Sequence, residues 1–148
     1  MDTCVKESAS EWFNTMPATG RIYRLIDDAL DAGKSRNRED AIKALGVSGD
    51  PRAVRPLVDC CRDPDPVIRL HAIDALNKLK SGRSVNALVE RLKDRTERPE
   101  IREHAADALA SIRSYGAINS LRECSLDPEE MPVIRAYVSH VLERSVIL

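Results

Sequence analysis

The chain has 148 residues, enough for one domain with a sizeable core, and its 43% hydrophobic and 32% charged residues exclude a disordered polymer. Its 23 basic and 24 acidic residues leave a net charge of -1, without the basic excess by which a nucleic-acid binder neutralises phosphates. Aromatics are only 3%, so the core must be Leu, Ile, Val and Ala, which suits helices packed closely on helices.

Residues 1–20 form an N-terminal segment or capping helix. It opens MDTCVKESASEWF, with no apolar run of signal-peptide length, and no later stretch is apolar enough to span a bilayer. A cytoplasmic protein without membrane association is therefore expected. Trp12 and Phe13, the only Trp and Phe, lie in a stretch from Glu7 to Met16 that suits a short amphipathic helix. Such a helix would cap the first repeat or act as a mobile anchor for a partner or a second copy. Cys4, Cys60, Cys61 and Cys124 make no Cys-x-x-Cys spacing, so they are read as reduced thiols rather than metal ligands or a disulfide framework.

From residue 21 the sequence repeats, in units of about 21–48, 50–80, 82–114 and 115–148. The first helix of the first unit fits Ile22 to Leu30 by periodicity. The second helices of the units align on an arginine: REDAIKAL from Arg38, RLHAIDAL from Arg69, REHAADAL from Arg102 and RAYVSHVL from Arg135. The first helices align less well, as RAVRPLV from Arg52, RSVNALV from Arg83 and GAINSLR from Gly116. Each unit is thus a helix pair, A then B.

The wheel of the second B helix gathers Ile68, Ala72, Ala75, Leu76 and Leu79 on one side, with Ile73 at its edge. Two alanine columns, Ala41/Ala72/Ala105 and Ala44/Ala75/Ala108, are placed where neighbouring helices come closest. A lone pair cannot bury this stripe, whereas stacked pairs can. The turns agree. Asp65 is an N-cap candidate before Pro66, Asp50-Pro51 precedes an A helix, and Pro99 and Pro132 repeat the punctuation before Arg102 and Arg135. Pro56 falls inside an A helix and is expected to kink it.

A period near 33 also suits ankyrin and tetratricopeptide repeats, but neither signature is present. RAVRPL at 52–57 and DPDPVIRLHAIDAL at 63–76 closely resemble HEAT-like repeats of the phycobilin-lyase (PBS lyase) type, over roughly residues 21–144. The resemblance implies an all-α solenoid, a right-handed superhelix of about four helix pairs, with the B helices lining a concave surface. It also implies that an Asp ending helix A bonds the Arg opening helix B, which Asp63 and Arg69 match. In the third and fourth units two extra residues separate Asp94 from Arg102 and Asp127 from Arg135.

His71 and His104 share a repeat position and are candidates to face each other as a metal or proton-transfer pair. The HEAT-like deoxyhypusine hydroxylase binds iron through His-Glu pairs on such helices. Here Ala72 and Ala105 follow the histidines, so that ligand motif is missing, and neither a metal nor any other cofactor is expected. Cys60 and Cys61 read as buried thiols acting as small hydrophobes. Ser145-Val-Ile-Leu148 either folds back on the last A helix or leaves an apolar end open to self-association.

The B-helix face carries the functional expectation. The wheels assign to it Glu39 and Lys43; Leu70, Asp74, Asn77 and Lys78; Glu103, Asp107 and Ser111; and Ala136, His140, Glu143 and Arg144. Five acids against three fixed bases make a mixed or mildly acidic face, suited to a protein or peptide and not to phosphate. This charge pattern also argues against the basic aromatic groove of HEAT-like DNA glycosylases. The sequence therefore points to a protein-interaction or scaffolding module with no catalytic residues. The alternative is an enzyme or enzyme subunit related to HEAT-like lyases or to the hydroxylase.

Overall fold

A computed structural model describes residues 18–31, 33 and 35–146. Trp12, Phe13 and Cys4 lie outside the described residues, as do 147–148 at the other end. The described residues form α-helices joined by short turns, with no strand among them. The first unit pairs α1 (Ala18–Leu30) with α2 (Ser35–Val47), and the second pairs α3 (Val54–Cys60) with α4 (Pro66–Leu79). The third pairs α5 (Val85–Lys93) with α6 (Pro99–Ile112), and the fourth α7 (Tyr115–Leu126) with α8 (Pro132–Val146). Each A helix packs on its own B helix, and the B helices stack in the order α2, α4, α6, α8. This is the all-α solenoid that the repeat implied.

The alanine columns lie at the stacking contacts. Ala72, Ala105 and Ala108 are wholly buried, and Ala41 and Ala75 nearly so. The closest approach is at Gly46 of α2, where an added Cβ would stand 2.8 Å from the Cα of Ala75 in α4. Leu45, Leu76 and Leu109 fill the same core at equivalent positions, with Ile42, Ile68, Ile73 and Ile101 around them. Ile73, at the edge of the wheel, is fully buried because α4 is flanked on both sides by other B helices.

Turn chemistry follows the prolines. The Asp65 carboxylate accepts from Val67 N–H with Pro66 opening α4, and Asp50 accepts from Arg52 N–H to start a 3-10 turn at Pro51–Ala53. That turn changes the expectation for Pro56. The α-helix proper begins at Val54, so Pro56 stands in its first turn, where its missing N–H breaks no helical bond. Of the Ser145–Leu148 end, Ser145 and Val146 continue α8, the Ser145 hydroxyl donating to the Val141 carbonyl, while Ile147 and Leu148 lie outside the described residues. No helix among the described residues is long and apolar enough to cross a membrane.

The arginines at the starts of the B helices hold successive units together. Arg38 donates to Asp63 at 2.6 Å, Arg69 to both oxygens of Glu97 at 2.8 Å, and Arg102 to Glu130 at 2.6 Å. Each arginine thus reaches the acid in the turn of the next unit. The expected side-chain pairing within one unit is corrected: Arg69 meets Asp63 only at its backbone carbonyl, at 2.8 Å. The two extra residues in the later turns move the role from Asp94 and Asp127 to Glu97 and Glu130, both 6% exposed. Asp94 instead accepts from Thr96, and Asp127 from Arg95. The Nε–H groups of Arg38 and Arg102 donate to the Ala29 and Leu92 carbonyls at the ends of α1 and α5. Arg135 closes the column, with a long bond of 3.4 Å to the Asp127 carbonyl.

Candidate partner surface on the B-helix layer

The exposed face of the B-helix layer carries a second set of bonds between neighbouring units. His104 Nδ1 lies 2.7 Å from an Asp74 oxygen, and the Tyr137 hydroxyl donates toward both oxygens of Asp107 at 2.9 and 2.8 Å. The two pairs are equivalent in the repeat, each joining a B helix to the one before it. Burial, and then the bond to Asp107, push the Tyr137 phenol up to about 12. His71 turns toward Glu39, 3.7 Å away on α2. The two histidines therefore do not face each other as the sequence suggested: each looks back to a carboxylate of the preceding helix. Among the described residues no group of three or more His, Cys, Asp or Glu side chains is placed to hold a metal ion.

These bonds reorder the residues assigned from the wheels. Asp74 and Asp107 are drawn into contacts between helices, and Leu70 is half-buried against the core. Lys43, Lys78, Ala136, His140, Glu143 and Arg144 are exposed, while Glu39, Asn77, Glu103 and Ser111 are partly buried. Four of them, Asn77, Asp107, Ser111 and Arg144, come together in one open groove of about 820 Å³ at the C-terminal ends of α4, α6 and α8. The others do not line it.

The groove also contains residues that the sequence reading left out. Lys80 and Arg113 line it from the ends of α4 and α6, and Ala110, Tyr137 and Val141 from α6 and α8. Lys80 and Arg113 are helix C-caps in the left-handed region, at φ 51° and φ 58°. Gly49 holds the equivalent position of the first unit at φ 67°. A signal for them existed in the sequence, since Gly49, Lys80 and Arg113 share one repeat position; the wheels stopped at the last helical residue and passed over it.

The three described cysteines are free and buried. Burial raises all three thiols, Cys61 to about 12 and Cys124 to about 11. They pack as small hydrophobes and offer no nucleophile at neutral pH.

Comparison with known proteins places this geometry. A family model described as HEAT repeats matches residues 24–99 and 63–143. Human deoxyhypusine hydroxylase, solved with glycerol, superposes with a TM-score of 0.76 at 25% identity, over 86% of this chain and 44% of its own. The complex of CpcE and CpcF of phycocyanin lyase from a Nostoc species superposes with a TM-score of 0.67 at 21% identity, over 97% of this chain and 62% of its own. The chain thus spans about half of these neighbours' lengths. No curated protein matches it significantly by sequence.

Proposed function

The chain belongs to the HEAT-repeat family, and from that premise we propose that it is a protein-interaction or scaffolding module whose B-helix layer, the concave side of such solenoids, receives a protein or peptide. One observation carries the reading. The polar groups inside the stack are committed to holding units together, whereas the B-helix layer keeps an open groove with unpaired polar side chains. Rigid stacked helices then present shape, and the side chains that vary between repeats set specificity. A cytoplasmic setting belongs to the same reading, since the described thiols are free and buried.

The enzyme reading draws on the two neighbours, a hydroxylase and a lyase, the second a complex of two named components. It would make this chain an enzyme subunit. No group of three or more His, Cys, Asp or Glu side chains placed to hold a metal is found among the described residues, where His71 lies beside Glu39 and His104 beside Asp74. The interaction reading therefore has the stronger support.

Affinity capture from the native host with three baits tests it. The baits are the wild type, a B-face variant (Lys78→Glu with Ser111→Arg) and an A-helix variant (Arg55→Glu). The expected result is a host protein retained by the wild type and by Arg55→Glu and lost with the B-face variant. Retention by all three baits, or by none, overturns the reading.

A further inference from the structure

We propose that the groove at the C-terminal ends of α4, α6 and α8 is a docking site for an acidic peptide segment of a protein partner, held by Lys80, Arg113 and Arg144. This rests on the reading of the B-helix layer as the partner surface and names the chemistry of what that surface takes.

Charge is the first argument. Lys80, Arg113 and Arg144 are exposed along the groove, and none has an ion-pair partner among the described residues. Bases on the opposite edge are matched: Arg62 to Glu90, Lys93 to Glu123 and Arg95 to Asp127. The one acid lining the groove, Asp107, accepts from the Tyr137 hydroxyl and keeps its charge, so three bases face a single carboxylate. A chain of net charge -1 thus places three bases without an ion pair around one groove.

The backbone supplies an independent argument. A left-handed C-cap favours glycine, and Gly49 shows that this repeat accommodates glycine there. Lys80 and Arg113 hold the same conformation with long side chains, against the steric preference of L-residues. A cation at a helix C-terminus gains from the dipole, but a last-turn residue in ordinary helical conformation gains it too. What the left-handed position adds is direction: both side chains belong to the lining of one groove.

The shape suits an extended segment. Ala110 and Val141 give apolar surface, while Asn77 and Ser111 offer bonds to a peptide backbone. A polyanionic nucleic acid is the weaker fit. Glu103 and Glu143 stand on the same helices, and the nearby aromatic ring, Tyr137, is half-buried and tied to Asp107.

The experiment uses fluorescence anisotropy with a fluorescein-labelled peptide of Glu and Leu, a Lys and Leu peptide of equal length, and a single-stranded oligodeoxynucleotide. The proteins are the wild type, Lys80→Gly with Arg113→Gly, and Arg55→Ala as a control on the A helix α3. Glycine keeps the cap geometry, so circular dichroism and thermal melting should show the double variant folded. The acidic peptide is expected to bind the wild type and Arg55→Ala alike, more weakly at higher salt. The double variant is expected to bind it about tenfold more weakly or worse, as loss of charge-assisted contacts implies. No binding of the acidic peptide at low salt, equal binding by the folded double variant, equal binding of the Lys and Leu peptide, or tighter binding of the oligonucleotide at physiological salt each overturns the proposal. If one of these occurs while the captured host protein is still lost with the B-face variant, the partner-surface reading stands and only the acidic-peptide assignment falls.

Discussion

Arg102 and Glu130 come from successive repeat units, 28 positions apart, and meet at 2.6 Å with side chains 0% and 5% exposed. The arginine of one unit is held by the acid of the next, so the pair fixes how units stack. Replacing Glu130 by Ala would leave a buried guanidinium unpaired. A loss of about 3–5 kcal/mol is expected in urea denaturation. Glu129→Ala, one residue away and 81% exposed at its side chain, should stay within about 0.5 kcal/mol.

The same column makes stability sensitive to acid. Arg102 holds the Glu130 carboxyl below its ordinary value of 4.5, outweighing burial. For Asp63 and Glu97 burial is the largest single influence and acts upward, and the arginine bonds, backbone N–H bonds and neighbouring positive charges together outweigh it. Carboxyls depressed in the folded state contribute stability that is complete above their unfolded values and disappears as pH falls through the folded ones. Unfolding free energy should therefore hold steady from neutral pH to about 5 and decline below that. Glu130→Gln, less stable at neutral pH, should show a shallower decline.

Gly46 touches Ala75 more closely than any side chain could. Gly46→Ala gains up to about 1 kcal/mol of helix propensity, but overpacking α2 against α4 costs about 1–3 kcal/mol, so a net loss is expected. Gly82→Ala, where an added Cβ meets nothing within 4 Å, is the control and should be neutral or slightly stabilising. Thermal melts of both variants compare the two sites.

Lys80→Gly and Arg113→Gly should behave unlike most substitutions of large residues by glycine. Relief of the left-handed backbone offsets the lost interaction with the helix dipole, each about 1 kcal/mol or less at an exposed terminus. Each variant should melt at the wild-type temperature or slightly above it. A fall of several degrees would make these side chains structural.

Cys60, Cys61 and Cys124 should react with a thiol reagent at pH 8 only as fast as the chain unfolds, because burial disfavours their thiolates. In a Cys4→Ser variant, the labelling rate should rise in parallel with denaturant-induced opening.

Much of the architecture could be read locally. The Arg38, Arg69, Arg102 and Arg135 register, the alanine columns and the Asp-Pro turns each follow from rules acting within a few residues, and helices stand where they were expected. Pro56 was misjudged because a 3-10 turn delays the start of α3 by one turn, which helical periodicity alone does not reveal. The sequence left the acids of the arginine column open in the later turns. Two extra residues there put Glu97 and Glu130, not Asp94 and Asp127, beside the guanidinium of the preceding unit.

The candidate site was less legible. A helical wheel sorts residues by the direction they leave one helix, so it placed Asp74 and Asp107 correctly on the B face. It carries no information about the neighbouring helix, which brings His104 and Tyr137 within bonding distance of those carboxylates. It also ends with the helix, so Lys80 and Arg113 escaped, although they turn a groove lined otherwise by one acid and one base into a basic one. By itself the sequence determined that helix pairs form and that they must stack, because periodicity and turn chemistry are local and a half-apolar helix cannot stay exposed. Only the tertiary structure decided which charges neutralise one another and which remain open, because that depends on distances between residues 25 to 28 positions apart.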